Sequence, residues 1–218
     1  MKGQDPLHFV APSSCSWSLK KILNSQIFIS QIGGWTKTVV KGKYSISTVY
    51  RNLQGTSQKV PWWRVLCYNR ATPRSIFITW LAVLNRLYTT DRMQNWGLNC
   101  SDDCVLCSGG KESAEHLFFA CSFSATIWQT VLKKLGIHRR SAGLAYELGE
   151  AAKASKKTGC IAKLYVMCFT EAIYSIWLMR NSVVFKNHVK SSEYLVKEIL
   201  FRVACRSSDE LRSRLLQD

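Results

Sequence analysis

The chain is 218 residues long and 47% apolar, enough for one domain or two small ones with a sizeable core and too apolar for a disordered tail. Its 30 Lys and Arg against 14 Asp and Glu leave a formal net charge of +16, which points to a polyanionic partner and excludes neither an RNA nor a DNA ligand. The nine cysteines follow a start (Met1-Lys2-Gly3-Gln4-Asp5-Pro6) that leads into no apolar signal segment. An intracellular chain, nuclear or cytoplasmic and not secreted, with reduced or metal-bound thiols is therefore expected in place of a disulfide scaffold.

The predicted elements begin with an N-terminal segment, 1–34, expected to be partly ordered. From Trp35 to Ser47, β-branched and polar residues alternate around Lys41-Gly42-Lys43, which predicts a short hairpin. Thr48 to Leu53 reads as helix, and Pro61 opens another short one. The clearest helix is 73–87, with Thr72 as N-cap and Pro73 in the first position. At 100° per residue, Ile76, Phe77, Trp80, Leu81, Val83, Leu84 and Leu87 share one arc. Trp80 is thus expected to pack inward, with Arg74, Ser75, Thr79, Asn85 and Arg86 outward. Thr90 to Met93 looks like a cap and first turn, with Gly97 as the stop.

Beyond the cysteine-rich stretch, Ser122 to Leu135 carries apolar residues at helical spacing and is closed by Gly136. Residues 142–157 read as a weak helix or linker. Residues 161–187 form a long helix, and 193–216 a final one. Within the long helix, Leu164 to Met179 is strongly apolar, but it contains Glu171, is bracketed by Lys163 and Arg180, and is shorter than the ~20 residues of a membrane span. A buried amphipathic helix and no membrane are expected. The fold class is mainly α, with a short β-hairpin and a small structural zinc-knuckle-like site.

The charge is uneven. Residues 41–100 carry nine Lys and Arg against Asp91 alone, whereas residues 101–121 carry Lys111 against Asp102, Asp103, Glu112 and Glu115. The basic stretch also holds Trp62, Trp63, Trp80 and Trp96 among Arg64, Arg70, Arg74, Arg86 and Arg92. Rings stack on bases and guanidinium groups fork onto phosphates, so these five arginines are the candidate nucleic-acid contacts. The plainer reading of each is a solubilising surface residue.

The acidic stretch contains Cys104-x2-Cys107-x8-His116-x4-Cys121. Zinc takes four soft or borderline donors in a tetrahedron, and C-x2-C supplies two of them from one tight turn. Gly109 and Gly110 follow and are expected to fold the backbone over the sulfurs with positive φ. A short helix begun by Ser113 or a neighbour would deliver the second pair. On a continuous helix Cys121 would lie ~140° around from His116. Both reach one ion only if the helix breaks near Ala120. Cys100, at C-x3-C from Cys104, is a fifth candidate, with Cys104 preferred for its tight turn. Cys15, Cys67, Cys160, Cys168 and Cys205 read as small core residues.

With four protein ligands the site has no open position and should be structural, contributing folding energy of about 10–16 kcal/mol. Three thiolates and the ion leave this stretch net negative, a poor surface for phosphates. The metal is therefore expected to brace the basic helices on either side. A thiol oxidoreductase at Cys104 and Cys107 would need a βαβ context that is missing, and the deaminase signature is absent too.

Several of these motifs together resemble a known family. Tyr44-Ser45-Ile46-Ser47-Thr48-Val49-Tyr50, Trp62-Trp63-Arg64-Val65-Leu66, Pro73 to Leu81, Arg86 to Met93, Cys104-Val105-Leu106-Cys107, Glu115 to Cys121 and Trp128 stand in the order found in the zinc-binding domain that follows reverse transcriptase in plant LINE-type (non-LTR) retrotransposon proteins. Ile173 to Phe185 resembles a W-x-x-R-N segment common after that domain, and Ser14 to Leu23 a piece found further upstream. The resemblance implies zinc at Cys104, Cys107, His116 and Cys121, and a role beside a reverse transcriptase in handling RNA or DNA. It brings no catalytic set: the polymerase Tyr-x-Asp-Asp motif is absent, and a two-metal carboxylate site has little to build on. The resulting expectation is a non-catalytic zinc module that binds nucleic acid. The alternatives are a protein-interaction or scaffold domain and a non-functional retroelement fragment. The expected organisation is a remnant over 1–34, the zinc-binding domain over 35–140, a linker or weak helix over 141–157 and a C-terminal helical segment over 158–218.

Overall fold

The computed structural model describes residues 12–55 and 59–216; the first eleven residues of the N-terminal segment lie outside the described residues. The chain divides into two compact units, one ending at Lys59 and the other beginning at Val60.

In the first unit, helices α1 (Trp17–Asn24) and α2 (Gln26–Gln31) precede a 3-10 turn at Trp35–Thr38. Strands β1 (Val39–Val40) and β2 (Lys43–Tyr44) then form the expected hairpin, pairing Val39 with Tyr44 and Val40 with Lys43. Lys41 (φ 49°) and Gly42 (φ 75°) both take left-handed backbone, as a two-residue turn matched to strand twist requires. Ser45 caps helix α3 (Ile46–Gln54) by accepting the Thr48 N–H. Asn52 in turn donates to the Lys37 carbonyl at 3.2 Å.

The second unit is built around one long helix. Helices α4 (Trp63–Cys67), α5 (Pro73–Val83), α6 (Thr90–Asn95), α7 (Ser122–Lys134), α8 (Leu144–Ala154), α9 (Cys160–Lys186), α10 (Ser192–Arg206) and α11 (Asp209–Leu216) follow in order. Helices α5, α7, α8, α10 and α11 all pack on α9. Helix α9 is long and apolar enough to cross a membrane by length and composition alone, yet 72% of its most apolar stretch is buried inside the protein. It is enclosed on nearly all sides from Leu164 to Ala172 rather than on one face, as a helix apolar all round must be in a globular core. An aromatic cluster fills the space between α7 and α9. The Phe119 ring lies 5.0 Å from Trp128 and 5.6 Å from Phe169, and Trp128 meets Tyr165 edge-on at 5.5 Å.

Four expectations need correction. Helix α5 turns its small polar face inward: Ser75, Thr79 and Ala82 are buried, while Phe77 and Trp80 are 53% and 38% exposed. Small side chains let α5 lie close against α9. The buried carboxylate of Glu171 on α9 accepts the Thr72 N–H at 2.8 Å and the Ser75 hydroxyl at 2.7 Å. Holding that carboxylate decides which face is inside; the apolar arc does not. The helix also stops at Val83, four residues before the expected end, because Asn85 (φ 50°) turns left-handed and the Arg86 N–H bonds back to the Leu81 carbonyl.

The expected single helix over 193–216 is two. Ser207 is extended, its hydroxyl donating to the Val203 carbonyl, and Asp209 and Glu210 begin α11. Of the five cysteines read as core residues, Cys168 alone is buried; Cys67 and Cys205 are exposed, and Cys15 and Cys160 half-buried. Residues 144–154, read as a weak helix or linker, form helix α8, which Arg139 and Tyr165 anchor through the buried Glu147.

Candidate metal centre

The loop from Cys100 to Cys121 is a small knuckle. The Cys104 N–H donates to the Gly110 carbonyl and the Glu112 N–H to the Asp102 carbonyl, both at 2.7 Å, closing a two-sided turn bridged between Asp103 and Lys111. The tight turn at its tip is taken by Ser108, whose φ is 50°. Gly109 and Gly110, expected to have positive φ, do not. Gly110 is small for another reason: a Cβ there would meet the His116 ring at 3.1 Å. The Gly109 N–H faces the Cys107 sulfur at 3.4 Å.

The second pair of donors comes from a broken helix. Ser113 caps the turn, its hydroxyl accepting the His116 N–H at 3.1 Å. From His116 to Ala120 the chain then leaves helical geometry at Phe118 (φ −95°, ψ 104°) and Phe119 (φ 76°, ψ −12°). The Cys121 N–H closes an i→i+5 bond to the His116 carbonyl at 2.7 Å. The expected break is present, centred one or two residues before Ala120. It swings Cys121 to the same side as His116. A bulky residue at positive φ is costly, and the surroundings hold it there. The Phe119 N–H donates to the Ser124 hydroxyl, its carbonyl accepts the Ser141 hydroxyl, and its ring lies in the aromatic cluster.

The result brings one donor atom from each of Cys104, Cys107, His116 and Cys121 within 4.8 Å of the others. Cys104 and Cys121 sulfurs are 3.9 Å apart, and the Cys107 sulfur is 3.3 Å from His116 Nε2. A tetrahedral ion with Zn–S bonds of ~2.3 Å separates its sulfurs by ~3.8 Å, so the spacing and the Cys3His donor set fit zinc. The Cys104 thiol donates to the Cys121 sulfur, which favours the Cys121 thiolate and holds Cys104 in its protonated form. A zinc ion held by the four side chains supplies a structural cross-link, since every position is taken by protein. Cys100 stands apart, its thiol directed to the Thr90 carbonyl.

Sequence reasoning missed how this knuckle is fastened. Glu112, counted above only as one charge among several, is fully buried. Its carboxylate accepts Arg180 Nη2 at 2.7 Å and Nε at 3.1 Å, and the Thr90 N–H at 3.1 Å. Arg180 is itself 3% exposed and is the arginine of the W-x-x-R-N segment. On the other side Glu115, beside the ligand His116, accepts the Ala145 N–H at 3.0 Å at the start of α8. Gly143 takes a left-handed φ of 89° that favours glycine, and a Cβ there, 2.5 Å from Glu115 Oε1, would push that carboxylate aside. The signal was present as two glutamates flanking the ligands, but nothing in the sequence tells a buried carboxylate from a solvated one.

The five candidate arginines are not gathered at the metal. Arg64, Arg70, Arg74 and Arg86 are exposed and Arg92 half-buried. Arg64 lies over the Trp63 and Tyr68 rings at 5.4 and 5.8 Å, and Arg92 over Trp96 at 4.9 Å. Around the metal, acids line the loop: Asp102 pairs with Lys111 at 2.8 Å, which holds its carboxyl below the ordinary range.

No curated protein and no solved structure matches the chain. A family model does: residues 44–128, less than half of the chain but including all four metal-binding side chains, match the family described as zinc-binding in reverse transcriptase.

Proposed function

We propose that this protein is a non-catalytic nucleic-acid-binding module, braced by zinc, that derives from a LINE-type retroelement and acts beside a reverse transcriptase. The observation that carries this reading is the separation of charge. The metal loop is acidic and half-sunk in the core, tied by Glu112 to α6 and α9, while the exposed Arg64, Arg70, Arg74 and Arg86 stand on and beside α4 and α5. A matched family that is zinc-binding rather than catalytic supports it. The reading puts the protein inside the cell, where thiolates stay reduced.

Filter binding to RNA and DNA as a function of salt tests it. Contacts to several phosphates give a steep linear fall of log K with log salt. A flat plot, or no binding at low salt, sinks the proposal. Chelating the metal should abolish binding together with native near-UV circular dichroism, since the ion shapes the surface without touching the ligand.

A second reading rests on the exposed face of α5, where Phe77 and Trp80 pair at 5.9 Å with Leu84 also outside. Such a face suits a protein partner. Binding of a protein that is lost in Phe77→Ser while nucleic-acid affinity stays unchanged would favour it.

A further inference from the structure

We propose that a cleft of about 330 Å³ between α4, the α8–α9 connection and α11 is a binding site for single-stranded nucleic acid, with one base stacked on Tyr68 and the flanking phosphates held by Arg64, Arg70, Lys157 and Lys163. This deepens the preceding reading and rests on it. Four exposed cations line the cleft, two from the basic stretch before the metal loop and two from far along the chain. None of the four has a carboxylate partner among the described residues. The acid on the wall, Glu210, is occupied in accepting the Cys160 thiol at 3.0 Å. Arg206 approaches the rim, its Nε donating to the Arg70 carbonyl at 3.2 Å.

Charge alone would suit any polyanion. The aromatic part narrows the choice. Tyr68 is 73% exposed, yet its ring is set by two neighbours: Trp63 packs against it edge-on at 5.3 Å, and Arg64 lies over it at 5.8 Å. An exposed ring already fixed in place loses little freedom on stacking a base. Beneath it the floor is apolar, formed by the buried Val166, Met167 and Leu211. A cavity at the lower end of the ~300–1,000 Å³ range of ligand pockets has room for one splayed-out base and its sugar, and none for a duplex. In a duplex, the faces of the bases are hidden in the stack. A strand whose bases are free can present one face to Tyr68 while its backbone follows the cations, the arrangement common to proteins that bind single strands without reading sequence. Asn69, itself part of the wall, donates to Thr170 Oγ1 at 2.6 Å and so helps to fix it.

The test is fluorescence anisotropy of the full zinc-loaded chain with labelled oligo(U), oligo(dT), a duplex and poly-glutamate. The variants are Tyr68→Ala, Lys157→Ser with Lys163→Ser, and, away from the cleft, Arg74→Ser on α5 with Arg86→Ser in the turn after it. All five positions are exposed, and zinc content with circular dichroism checks that each variant folds. Tyr68→Ala should weaken single-strand binding about tenfold, within the range for loss of one stacked base, and leave duplex binding unchanged. The lysine pair should weaken the single strand and reduce its salt slope by about one to two. Equal effects on oligo(U) and oligo(dT) assign the cleft to either nucleic acid; a larger effect on one names its ligand. Wild-type binding that is lost with Arg74 and Arg86 but indifferent to Tyr68 and the lysines overturns the cleft and leaves the nucleic-acid reading standing. Duplex preference, or poly-glutamate binding as tight as oligo(U), also overturns it. No binding of any nucleic acid removes the underlying reading.

Discussion

Replacing Glu112 by Ala should be among the most damaging single substitutions in the second unit, although Glu112 is not a metal ligand. The carboxylate is fully buried and accepts two groups of Arg180 and the Thr90 N–H. Its removal leaves a guanidinium, 3% exposed, without its counter-charge, and removing one member of a buried pair costs about 3–5 kcal/mol. The stranded Thr90 N–H adds about 1–3 kcal/mol. Thr90 Oγ1 still donates to the Glu112 carbonyl, so part of the α6 attachment survives and the lower end, about 4 kcal/mol, is expected. That is a large share of the ~5–15 kcal/mol that holds a domain together. Arg180→Met alone should cost about 3 kcal/mol. The double variant Glu112→Leu with Arg180→Met should be much milder than the two singles added, because a buried pair replaced by apolar groups of similar size recovers most of the loss. The assay is urea unfolding of zinc-loaded protein by near-UV circular dichroism, with zinc content measured for each variant. A loss below about 1 kcal/mol for Glu112→Ala, or strict additivity in the double variant, would refute the claim that this pair fastens the knuckle.

Phe119→Ala should cost about 3–5 kcal/mol through lost packing, as for other buried Phe truncations; Phe119→Gly should be no worse, because it relieves the positive φ of 76°. Were Gly clearly the more damaging, the left-handed backbone at 119 would not be strained. Ser75→Ala removes a donor from the buried Glu171 and should lower stability by about 1–3 kcal/mol in thermal unfolding, whereas Phe77→Ser, on the exposed side, should stay within about 0.5 kcal/mol. The reverse ranking would restore the orientation of α5 read from its apolar arc. Burial and the adjacent Glu147 raise the Tyr165 phenol above its ordinary 10.0. A raised folded value means that its contribution is complete below pH 10 and is lost as pH rises beyond, so wild type should lose stability in alkali more steeply than Tyr165→Phe. Parallel pH curves for the two would count against a neutral buried Tyr165.

The parts of this molecule legible in the sequence are those governed by short-range chemistry. The hairpin at Lys41-Gly42, the cap at Thr72-Pro73, the stop at Gly136 and the four spaced donors all follow from what neighbouring residues force on one another. The break before Cys121 was legible too, because a helix cannot place residues five apart on one side. What escaped depends on partners distant in the chain. Helix α5 has a respectable apolar arc, and only Glu171, 96 residues from Ser75, turns it around. Nothing in the sequence marks Glu112 and Glu147 as buried; their partners Arg180 and Arg139 do, the first from far along the chain. In each case a buried carboxylate overrode a pattern argument, since leaving it unpaired costs more than exposing a Trp at 38%.

The attachment of Glu112 to Arg180 also bears on where this unit can be cut. The matched stretch ends at Trp128, but Trp128 is roofed by Tyr165 and Phe169 from α9, and the carboxylate behind the metal is neutralised from α9 as well. A piece ending at 128 keeps every zinc ligand while baring an indole and stranding an acid in what was the interior. The smallest self-sufficient piece therefore has to run past Arg180, and because α10 packs on both α7 and α9, to about Arg206. Metal affinity and foldedness, which coincide in isolated zinc fingers, would here part company at a boundary drawn by the motif alone.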